Sequence, residues 1–241
     1  MKRIALFQTT ILTFALTGAT AALAGDTLES VEKELTSRWN KLKSMSAKMD
    51  TLMKIEMQGG SSKTTATGTI EFLNKDGKSM VRMELNSETA GNFGGNEIKS
   101  QASTLTISDG EYAHTMSERM GHKMAQKTKA DPSQLGDLAS QFEMMRKNND
   151  LKLLPEQTID GHSVYVIEAT PKDKPTQGMG KMIMYYAKDT GVPLKMIMHD
   201  TDGKTISETT YSDVKVNKPI DPARFVFKAP EGVQVMDMTG R

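Results

Sequence analysis

Met49-Asp50-Thr51-Leu52-Met53-Lys54-Ile55-Glu56-Met57 alternates along its whole length. Residues 49, 51, 53, 55 and 57 share one side of an extended chain, and four of these five are Met or Ile. The other side carries Asp50, Leu52, Lys54 and Glu56. Successive side chains of a strand point to opposite faces of a sheet, so the pattern predicts a half-buried strand with a soft apolar inner surface. Methionine is frequent elsewhere too: 19 of 241 residues, against seven Phe, five Tyr, one Trp and no cysteine. Its unbranched, polarizable thioether fills irregular space and re-packs around a variable guest. Two readings stand at this point: ordinary core filler, and an adaptable interior for a flexible apolar ligand.

Working outward, similar segments lie on both sides of a helical stretch. Gln58–Ser62 reads as a turn-rich connector, and Ala66–Phe72 alternates up to the hairpin chemistry of Asp76-Gly77. Val81, Met83 and Leu85 continue the period of two, and Gly91–Asn96 reads as a mobile loop. Strands are expected over Ser103–Ile107, Tyr112–Met116 and His122–Gln126. The last third returns to strands at Val164–Ala169, Lys181–Tyr186, Leu194–His199, Thr205–Val216 and Phe225–Lys228. Asp160-Gly161, Thr190-Gly191 and Asp202-Gly203 supply the turns.

Two segments have helical spacing instead. Leu28, Val31, Leu35, Trp39 and Leu42 form one apolar stripe, opened by Asp26 and Glu29 in a capping-box-like start. Asp131-Pro132 opens the second, with Leu135, Leu138, Phe142 and Met145 at helical steps and Asn148-Asn149 closing it. The order helix, strands, helix, strands predicts an α+β fold, one large antiparallel sheet with two helices available to cover it.

Lys2 and Arg3 precede an apolar-leaning stretch that ends in Ala22-Leu23-Ala24. This predicts a signal peptide over 1–24, cleaved after Ala24, and export to a periplasm. The remaining 25–241 read as one domain, expected to be a monomer. The formal net charge of +1 drops to −1 with the leader removed, because that segment holds two basic residues and no acidic one. No Lys/Arg run marks a nucleic-acid footprint, so no nucleic-acid partner is expected. Without cysteine there is no disulfide framework and no thiolate metal site.

Several longer stretches share features with one known group. Ser37–Met49, with its Arg38-Trp39 and Ala47-Lys48-Met49, leads a helix into a strand. Ile107-Ser108-Asp109-Gly110 closes a strand on Asp-Gly. The ending runs Phe225-Val226-Phe227-Lys228-Ala229-Pro230-Glu231-Gly232-Val233-Gln234-Val235. Together, over essentially the whole mature chain, these resemble the periplasmic lipoprotein carriers of the LolA type. The resemblance implies an incomplete, unclosed antiparallel β-barrel with a helical lid, acyl chains held inside, and traffic of lipoproteins toward an outer membrane. It also implies a membrane donor complex and an outer-membrane acceptor as partners. This chain departs from the pattern at Leu73-Asn74-Lys75-Asp76, where relatives often have Arg-Pro, and at Ala113, His114 and Met116, where relatives have aromatics.

The wall of such an interior is expected from Met49, Met53, Ile55, Met57, Ile70, Phe72, Val81, Met83, Leu85, Met182, Met184, Met196 and Met198. Leu35, Trp39, Leu138 and Phe142 are expected in the lid, and Arg82 as a head-group or lid-tethering residue. Two alternatives use other logic. An envelope sensor would use the same cavity to change its affinity for a partner protein. A copper protein would use His114, Met116, Met120, His122 and Met124, if a hairpin set His114 and Met116 opposite His122 and Met124. No nucleophile elbow, zinc-protease motif or phosphate loop is present, so neither an enzyme nor a cofactor is expected.

Overall fold

The alternation around residue 49 becomes the middle of a long sheet. The computed structural model describes residues 25–131, 137–173 and 178–240. In chain order, α1 (Leu28–Trp39) leads into β1 (Ser44–Met57), β2 (Gly60–Lys75), β3 (Lys78–Phe93), β4 (Asn96–Ser108), β5 (Tyr112–Arg119) and β6 (His122–Lys129). Next come α2 (Leu138–Asn148), β7 (Asn149–Ile159), β8 (His162–Pro171), β9 (Met179–Ala187), β10 (Pro193–Asp200) and β11 (Thr205–Val216). A 3-10 turn (Pro222–Phe225) and β12 (Val235–Asp237) complete the chain. The twelve strands form one sheet in the order β12-β6-β5-β4-β3-β2-β1-β11-β10-β9-β8-β7. Its two ends, β12 and β7, do not meet, so the barrel is unclosed as expected. All neighbours are antiparallel except β12, which runs parallel to β6.

Local chemistry explains both the agreements and the departures. The cap of α1 is Thr27 rather than Asp26: the Thr27 N–H donates to Ser30 Oγ at 2.9 Å and the Ser30 N–H to Thr27 Oγ1 at 3.2 Å. A Thr/Ser pair completes that reciprocal box without Glu29. The cap of α2 is Asp137, whose carboxylate accepts from the Ala139 N–H at 3.0 Å. The expected start at Asp131-Pro132 falls largely on residues 132–136, outside the described ones, as does the leader over 1–24.

Gly91–Asn96 is not a loop. Strands β3 and β4 continue to Phe93 and from Asn96, joined only by Gly94 and Gly95, both at positive φ. Two left-handed residues are what a two-residue hairpin needs, and glycine supplies them at no steric cost. The connector expected at Gln58–Ser62 is likewise just a turn at Gln58-Gly59, with β2 already running from Gly60. Strand β7 was not evident in the sequence; it follows α2 directly. The strand expected at Phe225–Lys228 is instead a 3-10 turn ending at Phe225, its Asp221 cap accepting from the Ala223 N–H at 2.9 Å.

Directly opposed residues in an antiparallel pair lie on the same face, so the pairings define two sides. The inner side meets both helices: Trp39 lies 5.1 Å from Phe72 between ring centres, and Phe142 lies 5.9 Å from Tyr186. Val31, Leu35, Leu138, Met45, Ala47, Ile167 and Met184 complete this core. The opposite side of β2–β6 is crossed by the C-terminal segment, where Phe225 is buried and Phe227 stacks on His114 at 4.9 Å.

Candidate functional site

The inner face can be followed rung by rung. Met49 opposes Gly68 on β2 and Tyr211 on β11. The next rung reads Ala66, Thr51, Thr209, Met196, Met184, Ile167 and Leu153, from β2 across β1, β11, β10, β9 and β8 to β7. The one after reads Thr64, Met53, Ser207, Met198, Met182, Ala169 and Leu151. On the other flank, Met45 opposes Phe72 and then Val81, Ala47 opposes Ile70 and then Met83, and Gly68 opposes Leu85. Register therefore places all thirteen expected wall residues on one side of the sheet.

Their exposure is graded. Phe72, Val81, Met49 and Met184 are buried; Ile70, Met83, Leu85, Met182, Met196 and Met198 are half-buried; Met53 is 38% and Met57 65% exposed. Ile55 continues the face toward the hairpin tips, where it opposes Ser62, with Gly91 and Ile98 beyond. The four lid residues Leu35, Trp39, Leu138 and Phe142 are all buried. They do not roof an empty hollow: their side chains pack directly onto Phe72, Tyr186 and the strands beside them. This corrects the expectation of open space beneath the helices. Large side chains on both layers fill it, and beyond the helices the methionine run of β1, β9 and β10 stays partly accessible.

Arg82 is placed on the other face, since it alternates with Val81 and Met83. It pairs with Glu84 and donates from Nη1 to the Arg224 carbonyl at 3.1 Å. Arg224 in turn holds Glu71 at 2.8 Å. The residue expected to tether a lid tethers the C-terminal segment instead. The copper cluster considered from the sequence is also divided by register. His114 opposes Lys127 and Met116 opposes Ala125, whereas His122 opposes Arg119 and Met124 opposes Ser117. The hairpin turns at Met120-Gly121, so the two halves fall on opposite faces. Among the described residues no group of three or more His, Asp or Glu is arranged to hold a metal ion.

Residues not anticipated complete the face. Tyr186 and Tyr211 sit on the inner rungs, and burial pushes both phenols above their ordinary pKa, with Tyr211 adding to the effect on Tyr186. Both stay neutral across the physiological range, and the Tyr186 hydroxyl lies 3.5 Å from Met184 Sδ. Small hydroxyl residues that satisfy one another interrupt the methionines, Thr51 of β1 with Thr209 of β11 at 2.9 Å, and take over the inner face of β2–β5, Thr64 with Thr89 at 2.9 Å and Thr106 with Thr115 at 3.3 Å. The signal was there, because Ser62, Thr64, Ala66 and Gly68 alternate with Lys63, Thr65 and Thr67. A separate cleft of about 980 Å³ is lined mainly by polar residues of the opposite face, among them Lys63, Glu88, Lys99, Gln101 and Glu118. Its charged rim does not suit an apolar guest.

Around the helices, Tyr165 donates to Glu34 at 2.9 Å and Arg38 Nε to the same carboxylate at 3.0 Å. Burial of Glu34 opposes ionisation, yet these two donors and the nearby Lys188 charge bring its pKa below the usual carboxylate value. Arg146 on α2 holds the buried Glu32 on α1, with Nε to Oε1 at 3.2 Å. No described helix is long and apolar enough to cross a membrane.

Comparison with known proteins adds the following. A family model described as that of an uncharacterized protein matches residues 120–228. No curated protein matches the chain. Among solved structures, an uncharacterized conserved protein from Thermus thermophilus is 13% identical with a TM-score of 0.53, covering 85% of this chain and 98% of that one. MucB of Pseudomonas aeruginosa is 17% identical with a TM-score of 0.44; the match covers 86% of this chain but only 64% of MucB. The LolA superfamily protein NE2245 from Nitrosomonas europaea is 12% identical with a TM-score of 0.32, covering 84% and 98%. An open, mostly antiparallel sheet whose inner face is covered by two helices is the architecture that the carrier resemblance implied.

Proposed function

We propose that this protein is an exported envelope carrier that binds the acyl chains of a lipoprotein, or of a related lipid, and hands them on toward an outer membrane. The observation that carries the reading is the gradient along the inner face, from buried Met49 and Met184 through half-buried Met182, Met196 and Met198 to exposed Met53 and Met57. A hydrocarbon tail laid along these rungs extends an existing core, and each methylene withdrawn from water contributes about 0.8 kcal/mol. Thioether walls re-pack around tails of different length and keep the grip loose enough for release.

The packed space under the helices then belongs to an unloaded, closed form. Loading lifts α2, an element held mainly by Leu138, Phe142 and the Arg146–Glu32 pair. Lids are drawn from weakly attached elements of this kind. A sensor would use the same face but change its affinity for a partner protein, and a pull-down with and without lipid separates the two roles.

Native mass spectrometry of the protein purified from its own envelope compartment tests the reading. The expected spectrum shows a discrete lipid or lipopeptide mass on the folded chain. Protein that arrives bare and takes up neither fatty acid nor lipopeptide in vitro overturns it.

A further inference from the structure

We infer that Met53, Met57 and Met198 form an oxidation site, at which two-electron oxidants of the peroxide or hypohalous-acid class switch off the apolar face. The inference concerns the surface proposed above for acyl chains, and its functional half rests on that reading. Thioethers are the only sulfur in this chain, since it has no cysteine. Among the thirteen expected wall residues, Met57 and Met53 carry the most exposed thioethers, at 65% and 38%. Met198 is half-buried and shares a rung with Met53: both oppose Ser207, one from each side. Two strand spacings put them about 10 Å apart. A tail crossing Ser207 therefore lies between two sulfur atoms that solvent reaches from the open end.

The chemistry is closed in atoms and electrons. Peroxide transfers one oxygen to Sδ, its O–O bond breaks, and water leaves; sulfur loses two electrons and the peroxide gains them. A dithiol-dependent sulfoxide reductase reverses the step, giving back the thioether and water as its own thiols become a disulfide. Each oxidation turns a flexible apolar side chain into a polar one. On this rung it would place two sulfoxides against hydrocarbon, next to a serine that already offers a hydroxyl. Neutral, apolar, adaptable walls are then lost where the guest enters.

The test uses the purified protein, hydrogen peroxide and 11-(dansylamino)undecanoic acid as a fluorescent acyl probe. After peroxide is removed, peptide mapping is expected to show sulfoxide first at Met57, then at Met53 and Met198, with Met49 and Met184 last. Probe affinity is expected to fall by roughly tenfold or more once Met53 and Met198 are modified, and to return after treatment with sulfoxide reductases. A variant carrying Met53→Leu, Met57→Leu and Met198→Leu should keep its affinity through the same treatment. Leucine at the exposed Met120, Met144 and Met236, on the β5–β6 turn, α2 and β12, should give no such protection.

Undiminished binding by protein oxidised at Met53 and Met198 overturns the proposal, as does equal loss by the triple leucine variant. If untreated protein does not take up the probe, the carrier reading falls. The sulfoxide map then decides the site alone: Met53 and Met198 reacting no faster than Met49 and Met184 removes it.

Discussion

Trp39, the only tryptophan, shows how one side chain sets the helix on the sheet. It is buried against Phe72, the residue that opposes Met45 on the neighbouring strand. Trp39→Ala is expected to cost about 3–5 kcal/mol, because the cavity left adds to the lost burial; urea unfolding would measure it. Glu34 gives a pH dependence of definite sign. Its folded-state pKa is lowered by Arg38 and Tyr165 against the opposing effect of burial. The stability it contributes is therefore present above the ordinary carboxylate pKa and disappears as pH falls through the lowered one. Glu34→Gln should flatten the acid limb of a stability–pH curve below about pH 4.5 and change little at neutral pH. At this scale the sequence was informative where period two applied. The alternation of Val81, Arg82 and Met83 already separates Arg82 from the wall, and reading it as a lid tether overlooked that parity. The burial of Tyr186 beside Met184 was not legible, because it depends on which helix residue lands on it.

Among the elements, α2 is the one that lifts in the proposed carrier, and it is held by Leu138, Phe142 and the Arg146–Glu32 pair. Arg146→Ala removes the partner of Glu32, a carboxylate only 6% exposed, and is expected to destabilise the protein by about 1–3 kcal/mol. Replacing both, with Glu32→Gln and Arg146→Gln, should recover much of that loss. In hydrogen exchange, amides of α2 should open before those of β1 and β8, and acyl ligand should move them first. The long hairpins expose the limit of local reading. Asn92–Asn96 has the composition of a flexible loop, yet Gly60 opposes Phe93 and Ser62 opposes Gly91, so pairing with β2 holds the strand straight to its tip. Conversely, Pro155 and Glu156 hide β7; its register slips between Leu154 and Gln157, and an edge strand tolerates a proline there.

Across the whole molecule, the two faces have separate duties. The inner one carries the helices and methionines, and the outer one is strapped by the C-terminal segment. Phe225→Ala should cost about 3–5 kcal/mol, whereas trimming the chain after Gln234 should hardly move the melting temperature, because β12 is three exposed residues long. A melting temperature that falls as far on trimming as on Phe225→Ala would place the strap's strength in the wrong segment. For ligand capture, the double variant Met53→Asp and Met83→Asp should lose acyl binding while keeping its fold, since both positions are at least partly solvated. Retention of lipid by that variant would count against the assigned wall.

Strand β1 has partners at very different distances along the chain. Met45 meets Phe72 on the next strand of the chain, but its other edge waits for Val216. Contacts that far apart in sequence slow the search for the native state. As the polypeptide emerges end first, the central strand keeps one row of amide groups and its methionine side uncovered until nearly the entire molecule has followed. During that interval the newborn chain is open to aggregation, and its yield should respond to the supply of holding factors more steeply than its equilibrium stability suggests.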